Sequence, residues 1–121
     1  MHDTRELDEA VNRLADRLRA APQSRLRQGA AAEGLALARE LAERAQRLEG
    51  AGHPGAGPEQ PRVMPDAGVF AVGDQLAVAG ADLAEALREA ARRGGVPGEA
   101  LDAESAGALA SVRATAARTG L

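Results

Sequence analysis

Five arginines crowd the expected turn between the first two helices of this chain, and such a density of guanidinium groups suits an anion. They are Arg13, Arg17, Arg19, Arg25 and Arg27, with Asp16 as the only acid among them. Together with backbone N–H groups at the start of the second helix, they could hold a phosphate or a carboxylate. The candidate anion-binding residues are Arg17, Arg19, Ser24, Arg25 and Arg27. The alternative is a solvated arginine surface that serves solubility.

Residues for catalysis or metal binding are sparse. The two histidines, His2 and His53, stand at the terminus and in a Gly/Pro-rich segment, where no element is expected to orient them. The carboxylates Asp74, Asp82 and Glu85 lack a histidine at the spacing of a helical di-metal site, and the chain contains no cysteine. We therefore expect no catalytic residue, no metal and no cofactor, and a protein that is not an enzyme.

Composition limits the possible partners. The chain has 121 residues and a formal net charge of -3 at pH 7, which argues against a general nucleic-acid binder. No apolar stretch reaches the roughly 18 residues of a membrane span, and the polar first residues do not resemble a signal peptide. We expect a cytoplasmic protein without membrane insertion. The absence of Ile, Lys, Tyr, Trp and Cys points to a high-GC bacterial genome.

A Gly/Pro-rich break divides the chain into two helical halves. Residues 1–49 and 66–121 each predict two helices joined by a short turn. Residues 50–65 predict a flexible linker or a functional loop, because this length without secondary structure exceeds the usual connection inside a domain. The two hairpins are expected to form one structural domain.

The first and last helices have simple boundary signals. The first is expected to begin at Asp3 or Thr4, where Asp3 and Glu6 have the spacing of a capping box. The last is expected to begin after Pro97 and to end near Arg118. Its apolar stripe is weak, so this helix is expected either to fray or to become ordered against a partner.

Helix two, expected from about Arg25 to Glu49, is apolar around half of its circumference. One stripe, with Leu37 and Leu41, suits the core of the first hairpin. A second stripe consists of Ala31, Leu35, Ala38 and Ala42. Because a helix with two apolar stripes needs two neighbours, we expect the second stripe to bind a partner protein or a second copy of the chain.

Helix three, expected from Asp66 to about Arg93, has two glycines on its packing face. Gly73 and Gly80 stand seven residues apart, and glycine costs about 1 kcal/mol relative to alanine inside a helix. That cost is offset where another backbone approaches closely, so both glycines predict a tight helix crossing. Val78 lies on the opposite face among acidic residues and is either a partner contact or a solvated side chain.

These patterns predict an all-α protein in which two antiparallel helical hairpins form a four-helix bundle, within one chain or through a homodimer. The expected function is protein–protein association, as an adaptor, regulator or assembly subunit, with the second stripe of helix two as its interface. Two other functions stay open. One is anion or nucleic-acid binding by the arginine cluster, and the other is small-ligand binding between helices.

Overall fold

Four long helices dominate the computed structural model, which describes residues 2–51 and 63–121. No strand occurs in those two ranges, so the all-α prediction is confirmed. The helices are α1 (Arg5–Ala20), α2 (Gln23–Arg25), α3 (Ala31–Ala51), α4 (Val72–Arg93) and α5 (Gly98–Thr119), with a π-helical turn at Leu26–Ala30 and a 3-10 turn at Val69–Ala71. The four long helices pack together as a bundle within the single chain.

Contacts near the helix ends show how α1 and α4 are aligned. Arg88, near the end of α4, donates a hydrogen bond to Thr4 Oγ1 just before α1, at 2.9 Å. Arg19, near the end of α1, donates to Asp74 near the start of α4, at 2.8 Å. These two contacts place the start of each helix beside the end of the other, so α1 and α4 run in opposite directions.

Helices α3 and α4 run in the same direction. Gly34 lies beside Val72 near the start of both helices, and Arg93 donates to the Leu48 carbonyl near the end of both. The end of α3 and the start of α4 therefore lie at opposite ends of the bundle. A helix of 22 residues is about 33 Å long, and any connection over that distance needs at least about ten extended residues.

Helix α5 completes the bundle by packing against both α1 and α3. Arg118 pairs with Glu33 at 3.0 Å, and Arg44 pairs with Glu104 at 2.8 Å. The most extensive helix contacts join α4 to α3 and to α1, across the two halves of the chain. The packing units are therefore pairs of helices from different halves, whereas the sequence suggested one hairpin in each half.

Buried side chains follow the predicted apolar stripes. Leu7, Val11, Leu14 and Leu18 are buried on α1, and Leu76, Leu83 and Leu87 are buried on α4. They belong to one hydrophobic cluster that includes residues of all four long helices. A 3.6-residue period places such side chains on one side of each helix, which is why the stripes could be identified from the sequence.

The capping box expected before α1 is not formed. Asp3 instead accepts a hydrogen bond from the backbone N–H of Arg5 at 2.9 Å and also binds the Arg5 guanidinium. No side chain caps the helix at Thr4, whose hydroxyl donates to Asp8 at 2.9 Å. The helix start was thus predicted to within two residues, but the side-chain bonds that stabilise it differ.

Helix two begins earlier than expected and is interrupted. The helical conformation begins at Gln23, directly after Pro22, and breaks at Gly29, whose φ is 139°. Only glycine adopts that backbone conformation without strain. The long helix α3 then continues through Ala51, two residues beyond the predicted end at Glu49.

Helix three begins later than expected because Asp66 stabilises a turn. Its Oδ1 accepts a hydrogen bond from the backbone N–H of Gly68 at 2.9 Å, and Gly68 has a φ of 96° that interrupts any helix at this point. Just before, Arg39 donates to the Met64 carbonyl at 2.9 Å. The end of the predicted linker is therefore tied to the bundle, while residues 52–62, including His53, lie outside the described residues.

Candidate functional site

The five candidate anion-binding residues do not converge on one site. Arg19 binds Asp16 at 2.9 Å and Asp74 at 2.8 Å. The hydrogen bond that Arg19 donates to Asp74 raises the pKa of the Arg19 guanidinium. Arg19 therefore links α1 to α4, and the other candidate residues lie in different surroundings.

Arg25 binds the end of α5. Its Nη2 donates to the carbonyl oxygens of Thr119 at 2.9 Å and Gly120 at 3.2 Å. The last carbonyls of a helix have no partner within the helix, and a cation there also complements the helix dipole. A cation near the start of a helix is unfavourable because of the helix dipole, and the contact with the end of α5 offsets this cost for Arg25.

We expect Arg25→Met to loosen the last turn of α5 while preserving the rest of the bundle. The change removes the charged donor and retains an unbranched side chain of similar reach, so the free energy of unfolding should fall by about 1–2 kcal/mol. Hydrogen exchange measured residue by residue should show faster exchange at the amides of residues 116–121. Uniform protection in that segment would contradict the contact, and Arg27→Met is the matched control.

The remaining candidates face elsewhere. Ser24 is exposed, and Arg27 lies against the side-chain amide of Gln23, whose oxygen can accept from the guanidinium at 2.8 Å. Arg17 points to a groove between α1 and α5, which it lines together with Arg13. The predicted cluster is therefore divided. Arg19 links α1 to α4, Arg25 binds the end of α5, and Arg17 lines the groove.

The expected interface stripe of helix two is covered by this chain's own helices. Leu35 is 8% exposed, Ala31 and Ala38 are also buried, and Ala42 is half-buried. All but Ala42 belong to the hydrophobic cluster of the bundle. A partner could reach this stripe only if the bundle opened, so a surface for association has to be sought on another helix.

Both glycines of the expected helix crossing lie against α1. A Cβ atom on Gly80 would be 2.5 Å from Val11 Cγ1, and one on Gly73 would be 2.7 Å from Arg19 Cγ and 2.9 Å from the Ala15 carbonyl oxygen. Real Cβ atoms do not approach neighbours so closely, so glycine at these two positions is what lets α1 and α4 pack at this distance.

His2 occupies a position that sequence reasoning missed. Its side chain is only 9% exposed and lies on α5, with Nδ1 3.6 Å from Asp102 Oδ1 and Nε2 2.9 Å from Ser105 Oγ. The order of groups is that of a hydrolytic triad. Two features argue against catalysis by these groups. The distance of 3.6 Å between His2 and Asp102 is too long for a hydrogen bond. Ser105 lies within α5, so its backbone N–H is not available to form an oxyanion hole. The contact joins the N-terminal residues to α5, and no local sequence signal could reveal partners 103 residues apart.

The outer side of α4 carries unusual apolar exposure. Phe70, the only aromatic residue of the chain, is 68% exposed just before α4, and Val78 is 58% exposed two turns later. The third exposed large hydrophobic residue in the described part of the chain is Val63. Aromatic side chains bury large areas when they dock, so the surface formed by Phe70 and Val78, here called the α4 face, is the strongest candidate for contact with another protein.

Acidic residues on the α4 face are mostly paired with arginines. Asp74 binds Arg19, and Glu85 binds Arg88 at 3.0 Å and Arg92 at 2.9 Å. The hydrogen bonds from Arg92 and then Arg88 lower the pKa of the Glu85 carboxyl. Charge on this face is therefore partly neutralised by the protein itself, which reduces the cost of bringing a second acidic surface near it.

The function of this chain has to be inferred from the geometry described above. Within the described residues, no helix is long and apolar enough to cross a membrane, and no group of three or more acidic or histidine side chains could hold a metal ion. The chain matches no protein-family model, no curated protein and no solved structure.

Proposed function

We propose that this protein acts through protein–protein association and that the α4 face is its contact surface. The observation that carries the proposal is the exposure of Phe70, the only aromatic side chain, together with that of Val78 two turns further along. The interface that the sequence suggested on helix two is covered in the bundle. Association therefore uses the outside of the folded bundle and does not require it to open.

A second copy of the chain is the occupant that fits the α4 face. If two α4 helices pack in opposite directions around Asp74, Phe70 of each copy meets Val78 of the other, because both residues stand four positions from Asp74. Such a two-fold contact is self-complementary. The two Asp74 carboxylates approach each other at the centre, and each is held by its own Arg19 at 2.8 Å, which offsets their repulsion.

The expected affinity is modest. Full burial of an exposed large apolar side chain contributes about 1.5–3 kcal/mol. Phe70 is 68% and Val78 is 58% exposed, so burial of all four side chains in the two-fold contact contributes about 4–8 kcal/mol. Association costs about 4–15 kcal/mol in lost freedom of motion. The two ranges overlap, so the dimer should form only at high protein concentration and should serve assembly or regulation that responds to concentration.

Protein association is favoured over nucleic-acid binding by the charges of the chain. The formal net charge is -3, and the arginines that suggested an anion site are divided, with Arg19 on an acidic pair and Arg25 on helix carbonyls. A nucleic-acid surface needs several free cations along one path.

The test is the solution mass by light scattering on a sizing column, from about 10 μM to about 1 mM protein, a range that covers weak dimers. The mass should rise from 12.4 kDa toward twice that value, and Phe70→Glu should hold it at the monomer value. Because like carboxylates meet at the centre, added salt should leave the dimer unchanged or strengthen it.

Val63→Glu is the matched control, since Val63 is 70% exposed and lies outside the α4 face. It should dimerise like the original chain, and circular dichroism should show the same helix content in both variants. A chain that stays monomeric at all concentrations, or a Phe70→Glu variant that dimerises normally, would overturn the proposal.

A further inference from the structure

The groove between α1 and α5 has the composition of a small binding site. Its volume is about 350 Å³, and its lining includes Ala10, Arg13 and Arg17 of α1 and Ala116 of α5. Leu14 and Val112 lie beneath it and are each only 2% exposed, so the half-buried Ala10 and Ala116 supply its accessible apolar surface. The small alanine side chains leave space that larger residues would fill, and the volume lies at the lower end of the range for small-molecule sites.

Arg13 and Arg17 are the unusual members of this groove. They stand one helical turn apart, and neither has a hydrogen bond or an ion pair with any residue in the described parts of the chain. Most other described arginines bind a carboxylate or a carbonyl, as Arg19 and Arg25 do. Two free guanidinium groups beside the methyl groups of Ala10 and Ala116 form an anion site with a small apolar surface next to it.

The opposite end of the groove limits what the ligand can be. Glu6 binds Arg113 at 2.7 Å, and Glu9 also lines the groove. Arg113 partly neutralises Glu6, so Glu9 is the main carboxylate that repels a second anionic group at that end. The ligand should therefore carry its negative charge at one end only, beside Arg13 and Arg17, and an uncharged apolar chain between Ala10 and Ala116.

We propose that the α1/α5 groove binds a small amphiphile with a single phosphate or carboxylate head, held by Arg13 and Arg17. The groove lies on a side of the bundle that α4 does not border, so this site is independent of the α4 face. It also explains why Arg17 has no role in the helix contacts that occupy Arg19 and Arg25.

The experiment is isothermal titration of the full chain with n-hexyl phosphate, hexanoate and inorganic phosphate. Hexyl phosphate should bind with a Kd below about 1 mM, and more tightly than inorganic phosphate because its alkyl chain covers Ala10 and Ala116. Comparison of hexyl phosphate with hexanoate identifies the preferred head group. Affinity should decrease as salt concentration rises, since the head group is held by charge.

Two variants separate a built site from general attraction to positive charge. The double variant Arg13→Gln/Arg17→Gln should weaken hexyl phosphate binding at least about tenfold, whereas Arg27→Gln removes an arginine outside the groove and should not change it. Ala116→Leu should block the alkyl chain and reduce the affinity for hexyl phosphate to that for inorganic phosphate.

The proposal is wrong if hexyl phosphate does not bind at about 1 mM, or if the double variant and Arg27→Gln weaken it equally. The first result would mean that Arg13 and Arg17 are solvated surface charges. Phe70→Glu should bind hexyl phosphate normally, so failure of the dimer and failure of this site can be distinguished.

Discussion

Leu35→Glu is expected to destabilise the bundle strongly, and this is the largest effect that we predict for a single substitution. Leu35 is 8% exposed and belongs to the hydrophobic cluster that joins the four helices. The change removes a buried apolar side chain and places a carboxylate among the apolar side chains that join the helices. Together these effects should cost more than about 4 kcal/mol, a large part of the 5–15 kcal/mol that stabilises an average domain.

The measurement is urea unfolding followed by circular dichroism at two pH values. The introduced carboxylate should have a raised pKa in the folded state because burial disfavours its charge. A group with a raised folded pKa binds its proton more readily when folded, so acidification from pH 7 toward pH 5 should recover part of the lost stability. Loss of stability that is the same at both pH values would contradict burial of the carboxylate.

Ala36→Glu is the matched control, because Ala36 is the next residue of α3 and is exposed. It should change the free energy of unfolding by less than about 0.5 kcal/mol. If Leu35→Glu behaved like this control and only dissociated an oligomer, Leu35 would lie at an interface after all, and the packing of α3 against the bundle would be wrong.

Leu35 also shows where periodicity stops being informative. The sequence identified two apolar stripes on helix two and the need for two neighbours, which is correct in kind. Periodicity does not say which chain supplies the second neighbour. The structure supplies both from one chain, because α3 lies between α4 and α5.

Helix ends were predictable where glycine and proline decide them. The stop of α4 at Arg93 before Gly94 and the start of α5 after Pro97 agree with the sequence, since these residues act through their own backbone. The start of helix three was not predicted, because Asp66 has the composition of a helix cap but forms a turn with Gly68. Cap and turn use the same side-chain oxygen, so the sequence alone could not separate them.

Arginine roles were the least predictable part of the candidate site. Arg25 binds carbonyl oxygens of Thr119 and Gly120, and backbone carbonyls leave no signal in a sequence. The same holds for His2 and Ser105, which meet only because α1 and α5 lie side by side. Charge patterns therefore indicated where cations gather, while the helix packing decides which of them remain available to a ligand.

Gly80→Leu is expected to be nearly as damaging as Leu35→Glu, for a steric reason. Even the Cβ of alanine would lie 2.5 Å from Val11 Cγ1 and 3.2 Å from two further Val11 carbons. Leucine adds three more carbons, so α1 has to move away from α4 and expose the core between them. We expect a loss of at least about 3 kcal/mol and a decrease in Tm of about 10 °C or more.

A double-mutant cycle tests the mechanism of this loss. Gly80→Ala alone gains up to about 1 kcal/mol from helix propensity and loses about 1–3 kcal/mol from overpacking. Combined with Val11→Ala, which removes the Cγ atoms, the overpacking disappears, so the pair should be more stable than the sum of the single changes by more than about 0.5 kcal/mol. Gly50→Ala, with no neighbour within 4 Å, should not destabilise the protein. Additive effects of the first two changes would mean that α1 and α4 do not meet at Val11 and Gly80.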